Sequence, residues 1–399
     1  MKGIRILGIF VGVFFLCLTG NSDAESTKTP GVTDTKIIVG GTGPYTGPAA
    51  EYPAQFKRGI DLYFKKINVE EGGIYGRKLH YIGEDDVMMV QRSVAAFKKL
   101  AERDKVFAML ANAGSANVVA QFPLVEEYQI ALVGPYAGTS QVTNPPKKRV
   151  FTTMTNWLDQ ARIGVDYAID ELGLSNPKIA VTGWDDETGY DTLKGANKQL
   201  KIRGKKEAIH IFCSRSAADL SSTVLKLKRK NPDIVFASGN IRIGAQLMKE
   251  AYKIGWKPYW MFSSAFVDNN MIKLAEKAAT YGKGFIGVNV FENEAGNSSA
   301  AIAFRKAKAK YAPKTKISPF YFWAYASADV FVKGLRVAGK DLTREKFVQA
   351  LASLNDYENG ILPKFSYGPN RTGPVGGYLV KIEDGKFKKL TDWRYPKEK

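Results

Sequence analysis

Residues 40–52 read GGTGPYTGPAAEY and lie between a predicted strand, Lys36–Gly40, and a predicted helix. A glycine-rich turn that leads into a helix leaves the first backbone N–H groups of that helix without acceptors. This arrangement favours a carboxylate or another small anion. The spacing departs from the dinucleotide-binding pattern, because three residues rather than two separate Gly43 from Gly47. The stretch is therefore either a tight βα turn that needs glycine or part of an anion site.

Short apolar runs alternate with longer amphipathic stretches along the chain. In the helix after this turn, Phe56, Ile60 and Phe64 recur at four-residue spacing, which is typical of one buried helix face. Such alternation indicates parallel strands joined by right-handed crossovers, and hence α/β sheets with helices on both faces. The pattern restarts after the polar stretch Thr152–Asn156. We therefore predict an α/β protein with two doubly wound parallel-sheet lobes.

The predicted strands fall into two series and a C-terminal hairpin. They are Lys36–Gly40, Leu79–Gly83, Val106–Leu110 and Ile130–Val133, then Ile179–Val181, Glu207–Phe212, Ile234–Ala237, Tyr259–Phe262 and Phe285–Val288. At the C-terminus, Asp384 and Gly385 lie between the apolar runs Gly377–Ile382 and Phe387–Leu390. An Asp-Gly pair in this setting is a strong hairpin signal.

The first 24 residues have the features of a signal peptide. Lys2 and Arg5 precede an apolar run, Ile6–Leu18, and small residues follow at Ser22 and Ala24. We expect cleavage near Ala24, which leaves 375 of the 399 residues, enough for two domains. Only Cys213 would remain after cleavage, so no disulfide within the chain is expected.

The formal charge of +19 raises nucleic acid as a partner. The densest basic cluster, Lys201–Lys206, falls where a helix is predicted to end, and cations there complement the helix dipole. No aromatic residues interleave with this cluster, as they would in a surface that stacks single-stranded bases. We therefore expect solvated helix faces and no nucleic-acid partner.

Residues that carry catalysis are few. His80 and His210 both fall inside predicted strands, and Cys213 ends a strand without an obvious histidine partner. The chain has no His-Glu-x-x-His, Cys-x-x-Cys or Gly-x-Ser-x-Gly motif. We expect no enzyme activity, no cofactor and no metal site.

Polar and glycine-rich junctions follow several of the predicted strands. In the first series they are Ala113–Asn117 and Gly134–Ser140, and in the second Trp184–Tyr190, Ser238–Asn240 and Ser263–Phe266. Ligands of open α/β sheets bind at the carboxyl ends of parallel strands, where these junctions lie. The acidic run Asp185–Glu187 either faces a ligand or favours the N-terminus of the helix that follows it.

Five motifs in order resemble the periplasmic leucine/isoleucine/valine-binding proteins of ABC importers. They are Thr46–Tyr52, Glu70–Leu79, Glu84–Asp86, Val133–Pro135 and Asp219–Ser221. The resemblance implies a type I periplasmic-binding fold whose lobes comprise residues 25–154 plus 290–362 and residues 155–289 plus 363–399. It also implies three hinge crossings, near Thr152–Asn156, Val288–Phe291 and Leu362–Phe365, and closure on a ligand. An inner-membrane ABC permease, a periplasmic location and a monomeric state complete this expectation.

The resemblance also implies a ligand-binding set. Its members are Tyr52, Ser115, Tyr136, Ala137, Gly138, Trp157, Asp186, Thr188, Asn240 and Ala265. Ser115 matches a serine that bonds the ligand carboxylate, and residues 136–138 match the loop that contacts the amino-acid head. Thr188 and Asn240 replace aromatic residues, and Ala265 replaces the acid that neutralises the ammonium group.

These departures leave the ligand class open. A small apolar or aromatic carboxylate is expected to compete with a branched-chain amino acid, because a buried ammonium without a partner is costly. Asp185 or Asp186 would restore ammonium binding if either reached the cleft. Aromatic faces at Tyr45, Tyr52, Tyr136, Trp157 and Trp184 would also hold a cation. The alternatives in function are a secreted amide or ester hydrolase and a ligand-sensing module of a signalling receptor.

Overall fold

The computed structural model describes residues 29–46, 51–369 and 371–398. The predicted signal peptide lies outside these residues. Strands and helices alternate through most of this part of the chain. The strands are β1 (Lys36–Gly43), β2 (Lys78–Asp85), β3 (Ala108–Leu110), β4 (Leu132–Val133), β5 (Val150–Phe151), β6 (Ile179–Trp184), β7 (Ile209–Cys213), β8 (Ile234–Ala237), β9 (Tyr259–Phe262), β10 (Phe285–Asn289), β11 (Tyr378–Glu383) and β12 (Lys386–Lys389).

Helices alternate with the strands as far as β10, and three consecutive helices follow β10. They are α1 (Glu51–Glu70), α2 (Val90–Glu102), α3 (Ser115–Glu127), α4 (Trp157–Asp170), α5 (Glu187–Ile202), α6 (Ser221–Lys230), α7 (Ile241–Lys253), α8 (Asn269–Ala275), α9 (Ser299–Tyr311), α10 (Pro319–Ala338) and α11 (Arg344–Ala352). Within the described residues, no helix is both long and apolar enough to cross a membrane.

The strands form two sheets. The first has the order β2-β1-β3-β4-β5, and each of its neighbouring pairs is parallel. The second has the order β12-β11-β10-β9-β8-β6-β7; it is parallel from β10 to β7, and the hairpin β11–β12 adds two antiparallel strands. The predicted α/β class with two parallel-sheet lobes and the predicted hairpin are both confirmed.

The chain returns to the first sheet after β10. Helix α10 packs on α1, where the rings of Phe56 and Trp323 lie 5.0 Å apart. Arg344, at the start of α11, donates hydrogen bonds to the carbonyl oxygens of Val106 and Phe107 beside β3. We call the first sheet with α1–α3 and α9–α11 the first lobe, and the second sheet with α4–α8 the second lobe. The exact residue limits of the lobes stay a prediction.

The glycine-rich run Gly40–Gly43 is part of a strand rather than a turn. Strand β1 continues to Gly43, so the expectation that it ends at Gly40 is wrong. A Cβ atom on Gly41 would lie 2.0 Å from the Tyr81 hydroxyl and 2.5 Å from the Leu110 carbonyl oxygen. Glycine is therefore needed at this position for close packing between β2 and β3. Residues 47–50 lie outside the described part of the chain.

Candidate ligand-binding site

Ser115 begins helix α3 directly after β3. The junction is held by two backbone bonds, from the Ala113 N–H to Thr42 and from the Gly114 N–H to Tyr136. Gly114 has φ +92°, a conformation that favours glycine. The half-buried Ser115 hydroxyl makes no hydrogen bond to a described residue, and the first-turn N–H groups of α3 have no acceptor within the helix. This junction therefore presents donors, as a carboxylate site requires.

A buried polar network fixes α3 behind these donors. The Gln121 amide donates to the hydroxyls of Thr42, at 2.8 Å, and Ser93, at 2.7 Å, and accepts from Asn112 at 2.7 Å. In addition, Asn117 in the first turn of α3 donates to Asp86 at 2.9 Å. Burial raises the pKa of Asp86, although the bond from Asn117 acts in the opposite direction. Because these bonds join β1, β3 and α2 to α3, they hold the donors at the junction in one orientation.

The loop after β4 contributes Tyr136, Ala137 and Gly138. The Tyr136 ring is half-buried and lies 4.9 Å from Phe56 and 5.1 Å from Trp323, measured between ring centroids. Ala137 is buried below the loop. The Gly138 carbonyl oxygen accepts the Trp157 N–H at 2.7 Å, and a Cβ atom on Gly138 would lie 1.8 Å from the Trp157 ring. Trp157, the first residue of α4, therefore packs directly on the first-lobe loop.

Trp157 also has a buried donor. Its indole Nε1 has no hydrogen-bond partner among the described residues. The ring borders a small cavity of about 10 Å³ with Ser263 and Thr192, which is enough space for one water molecule. Of the residues predicted to bind the ligand, Trp157 is the one that borders this cavity.

Asp186 and Asp185 have partners within the second lobe. Asp186 caps α5 by accepting the N–H groups of Thr188, at 2.8 Å, and Gly189, and it forms an ion pair with Arg215. Asp185 is exposed and accepts the Tyr190 hydroxyl at 2.5 Å. Neither carboxylate is held toward the first lobe by these bonds, which favours the structural alternative for the acidic run.

Trp184 carries a cation on its ring. The Arg215 guanidinium lies 4.7 Å from the centroid of that ring, which is within the range of a cation–π contact. Arg215 therefore joins Trp184 to Asp186 at the end of β6. Arg215 is not predictable from the sequence as part of this junction, because it lies in the loop after β7 and only the fold brings it there.

Asn240 and Ala265 follow the next two strands of the second lobe. Asn240 is exposed, and its side chain caps α7 by accepting the Ile243 N–H at 3.2 Å. Ala265 is half-buried in a single helical turn. Asp268, three residues later, is buried and caps α8 by accepting the Asn270 N–H at 2.7 Å. Asp268 was not among the predicted residues, although the Asp268-Asn269-Asn270 run at the start of α8 is a helix-start signal.

Two tyrosines, Tyr45 and Tyr52, were predicted near the first turn, and the structure describes the side chain of Tyr45 alone. Tyr52 lies in α1, but its side chain is outside the described part of the chain. Tyr45 packs over Gly83, and its hydroxyl lies 3.3 Å from that of Tyr81. The Tyr45 ring therefore packs against β2 in the first lobe, and its expected place beside the cleft stays a prediction.

The residues considered for catalysis are not assembled into a reactive group. His80 and His210 are exposed on β2 and β7, which are edge strands of different sheets. The Cys213 thiol donates to the Gly183 carbonyl oxygen at 3.2 Å, and burial raises its pKa. A raised thiol pKa lowers the fraction of the nucleophilic thiolate. The described residues include no cluster of three metal-binding side chains.

Comparison with known proteins agrees with this arrangement. The periplasmic binding protein family model matches residues 36–386. The Leu/Ile/Val-binding protein homolog 1 of Brucella abortus is 23% identical over 355 residues, which cover 88% of this chain and 92% of that protein. The chain therefore belongs to the periplasmic binding protein family, and its role is solute binding.

Two solved structures have the same fold. A fatty acid ABC transporter substrate-binding protein from Thermomonospora curvata has a TM-score of 0.83 and 21% identity, with 93% of this chain and 95% of that chain covered. A branched-chain amino acid ABC transporter from Thermus thermophilus, with bound valine, has a TM-score of 0.80 and 17% identity, with 91% and 97% covered. The predicted type I periplasmic-binding fold is confirmed.

Proposed function

We propose that the protein is the periplasmic receptor of an ABC importer, and that it binds a branched-chain amino acid or a related small apolar or aromatic carboxylate between its lobes. The observation that carries this proposal is the set of donors at the start of α3, the Ser115 hydroxyl and the first-turn N–H groups. A hydrogen bond to a charged group contributes about 1.5–3 kcal/mol. Of the two similar structures described above, one contains bound valine and the other is a substrate-binding protein of a fatty acid transporter. Both compounds have a carboxylate.

The residues of the second lobe favour a simple carboxylate over an α-amino acid as the ligand. Ala265 has no charge, while Asp186 and Asn240 serve as helix caps. Because the Asp186 carboxylate is already paired with Arg215, an ammonium group buried against these residues would compete with Arg215 for its counterion, which is costly. We therefore expect small apolar or aromatic acids to bind at least as well as leucine.

A thermal-shift screen tests this ligand class, because a ligand that binds only the folded state raises the melting temperature. The screen compares leucine and valine with benzoate, short-chain acids and neutral amides. We expect stabilisation by at least one carboxylate. Stabilisation by leucine alone would contradict the argument from Ala265, and stabilisation by amides alone would contradict the argument from Ser115.

We also propose that ligand binding closes the lobes about the three crossings. The segments around the crossings are bonded to one another: the Thr155 hydroxyl donates to the carbonyl oxygen of Gly376, just before β11, at 2.7 Å, and the N–H of Glu292, just after the second crossing, donates to the carbonyl oxygen of Ile361, just before the third, at 2.7 Å. Segments that lie side by side in this way can bend together as one hinge. Small-angle scattering with and without saturating ligand is expected to show a smaller radius of gyration for the complex, and identical curves would contradict closure.

The remaining parts of the proposal are a monomeric state, a permease partner and the absence of catalysis. We expect permease and ATPase genes beside the gene for this protein; a neighbouring receptor kinase gene would favour the sensing alternative instead. We also expect no turnover of an amide and ester panel, given the raised pKa of Cys213 and the separate positions of the two histidines. Turnover above buffer would favour the hydrolase alternative.

A further inference from the structure

The loop between β2 and α2 contacts the junction at the start of α3. Met88 lies in this loop, and a Cβ atom on Gly114 would lie 2.9 Å from the Met88 sulfur. Gly114 directly precedes Ser115, the first residue of α3. Met88 is nevertheless 45% exposed, so this residue contacts the junction and also remains open to solvent. An apolar side chain therefore lies beside the donors that the proposed function assigns to a carboxylate.

The order of the strands explains how this contact arises. In the order β2-β1-β3-β4, strand β1 separates β2 from β3, so a side chain after β2 must extend past the end of β1 to meet the residue before α3. Methionine suits this span because its side chain is long, unbranched and flexible. The loop after β4 meets the same junction from the other side, where Tyr136 forms a bridge with Ala113. The donors at the start of α3 thus lie between the two loops.

The backbone of the loop after β2 is held in an uncommon conformation. Val87 has φ +44° and Met88 has φ +62°, and residues other than glycine are uncommon at positive φ, above all a β-branched residue such as Val87. Two carboxylates hold these residues: Asp85 accepts the Val87 N–H at 3.1 Å, and Asp86 accepts the Met88 N–H at 2.9 Å. Such a conformation persists only where the surrounding structure fixes it. The lobe therefore sets the position of Met88 against its own backbone preference.

The carboxylate that holds Met88 also holds α3. Asp86 is buried; one of its oxygens accepts the Met88 N–H, and the other accepts the Asn117 amide at 2.9 Å. Asn117 lies in the first turn of α3, two residues after Ser115. Because one buried side chain binds both segments, the Met88 backbone keeps a fixed place relative to the donors of α3.

We infer that Met88 is a specificity-determining residue of the ligand site, and that its side chain contacts the apolar body of a ligand whose carboxylate is bound at the start of α3. The inference rests on the proposed function, because it requires the carboxylate to lie at Ser115. A thioether is apolar and polarizable, and its flexible chain can fit branched as well as aromatic groups. Burial of one methylene group of the ligand against it strengthens binding about fourfold. Met88 thus selects for the apolar body, while Ser115 selects for the carboxylate.

Isothermal titration at pH 7 with ligands that differ in their apolar body tests the inference. The larger probes are 4-methylpentanoate, benzoate and leucine. The smaller probes, acetate and glycine, have the same head groups, and their weak affinities are measured by displacement of a larger probe. Met88→Gln keeps the length of the side chain and removes its apolar end. We expect this variant to bind the larger probes about fivefold less tightly than the unaltered protein and the smaller probes within about twofold.

Met88→Leu and Met89→Gln are the controls. Leucine is apolar and similar in volume to methionine, so Met88→Leu should keep the affinity for the larger probes within about threefold. Met89 is the next residue, is 49% exposed and has an ordinary extended backbone. Met89→Gln therefore removes an equally exposed thioether and should leave each affinity within about twofold, and no variant should lower the unfolding midpoint. An equal loss for larger and smaller probes in Met88→Gln, no loss in that variant, or an equal loss in Met89→Gln would overturn the inference.

Ser115→Ala, titrated with the same probes, separates this inference from the proposed function. This variant loses a donor to the carboxylate, so it should weaken the binding of larger and smaller probes alike. If it does so and Met88→Gln binds like Met89→Gln, the inference is wrong and the proposed function stands. If none of the probes binds the unaltered protein, the proposed function is wrong, and the inference that rests on it is wrong as well.

Discussion

The carboxyl edges of the two sheets use their polar groups differently. In the first lobe, the Ser115 hydroxyl and the first turn of α3 keep donors that no described residue accepts. In the second lobe, Asp186 and Asn240 occupy corresponding junctions, and both side chains cap the helix that follows. The same kind of βα junction therefore leaves helix N–H groups available to a ligand in the first lobe, whereas in the second lobe a capping side chain accepts them.

This difference has a physical origin in the residue before each helix. Gly114 precedes α3, and it has no side chain that could cap the helix, so the first N–H groups remain available. Asp186 and Asn240 precede α5 and α7, and their side chains accept those N–H groups. A ligand head that accepts hydrogen bonds is expected to favour the first lobe, with the second lobe closing over it.

The largest expected effect comes from Gly138→Ala, which tests how the first-lobe loop meets α4. The new methyl group would overlap the Trp157 ring, so we expect a loss of about 2–3 kcal/mol in the free energy of unfolding, measured by chemical denaturation. Adding Trp157→Phe should recover part of this loss, because a smaller ring leaves room for the methyl group. A loss below about 0.5 kcal/mol for Gly138→Ala would contradict the close contact between the loop and Trp157.

Ser115→Ala tests the donors of the first lobe directly. We expect the affinity for the carboxylate found in the screen to fall at least tenfold, or about 1.5–3 kcal/mol, while the free energy of unfolding changes by less than about 0.5 kcal/mol. Ser299→Ala is the matched control, because Ser299 is also the first residue of a helix, α9, but is exposed outside the predicted site. Equal affinities for the two variants would remove Ser115 from the site.

Asn240→Ala tests the opposite behaviour in the second lobe. Loss of the cap on α7 should lower the free energy of unfolding by about 1 kcal/mol and leave the ligand affinity within about twofold. Asn240→Asp keeps a capping oxygen and should unfold like the unaltered protein. If Asn240→Ala instead weakened ligand binding as much as Ser115→Ala, the proposed contrast between the lobes would be wrong.

The smallest expected effect concerns acid stability in the second lobe. Bonds from Arg203 and Lys397 lower the pKa of Asp170 from its ordinary value of 3.8 to about 2. Because the pKa is lowered by folding, the stabilisation is present above pH 4 and is lost as the pH falls through about 2. Asp170→Asn should flatten the dependence of melting temperature on pH between 4 and 2. An unchanged slope would show that these ion pairs contribute nothing measurable.

Much of the fold was predictable because hydrophobic periodicity directly reflects burial. Strands Ile234–Ala237 and Tyr259–Phe262 are confirmed with the predicted bounds, and the Asp384-Gly385 turn is confirmed between β11 and β12. The two-residue strand β5, Val150–Phe151, was not predicted, since two residues are too few to show a period. Its place in the sheet depends on its pairing with β4, in which Leu132 lies beside Val150.

The candidate site was less predictable than the fold. Ser115 was located correctly at the start of a helix after a strand, because both signals are local. The partners of Asp186 were not predictable: Arg215 is 29 residues away and reaches it from the loop after β7, the strand that pairs with β6. Asp268 was missed for a similar reason, since it lies near Tyr378 and Val380 of β11, which are more than 100 residues further along the chain.

The sequence by itself determined the α/β class, the restart of the strand–helix pattern and the C-terminal hairpin, because each depends on spacing within a few residues. Only the tertiary structure decided which polar groups remain available. Whether a carboxylate or hydroxyl binds a ligand depends on whether another side chain already satisfies it, and those side chains arrive from distant elements. Ser115 and Asp186 have similar positions after a strand, yet they differ in this respect.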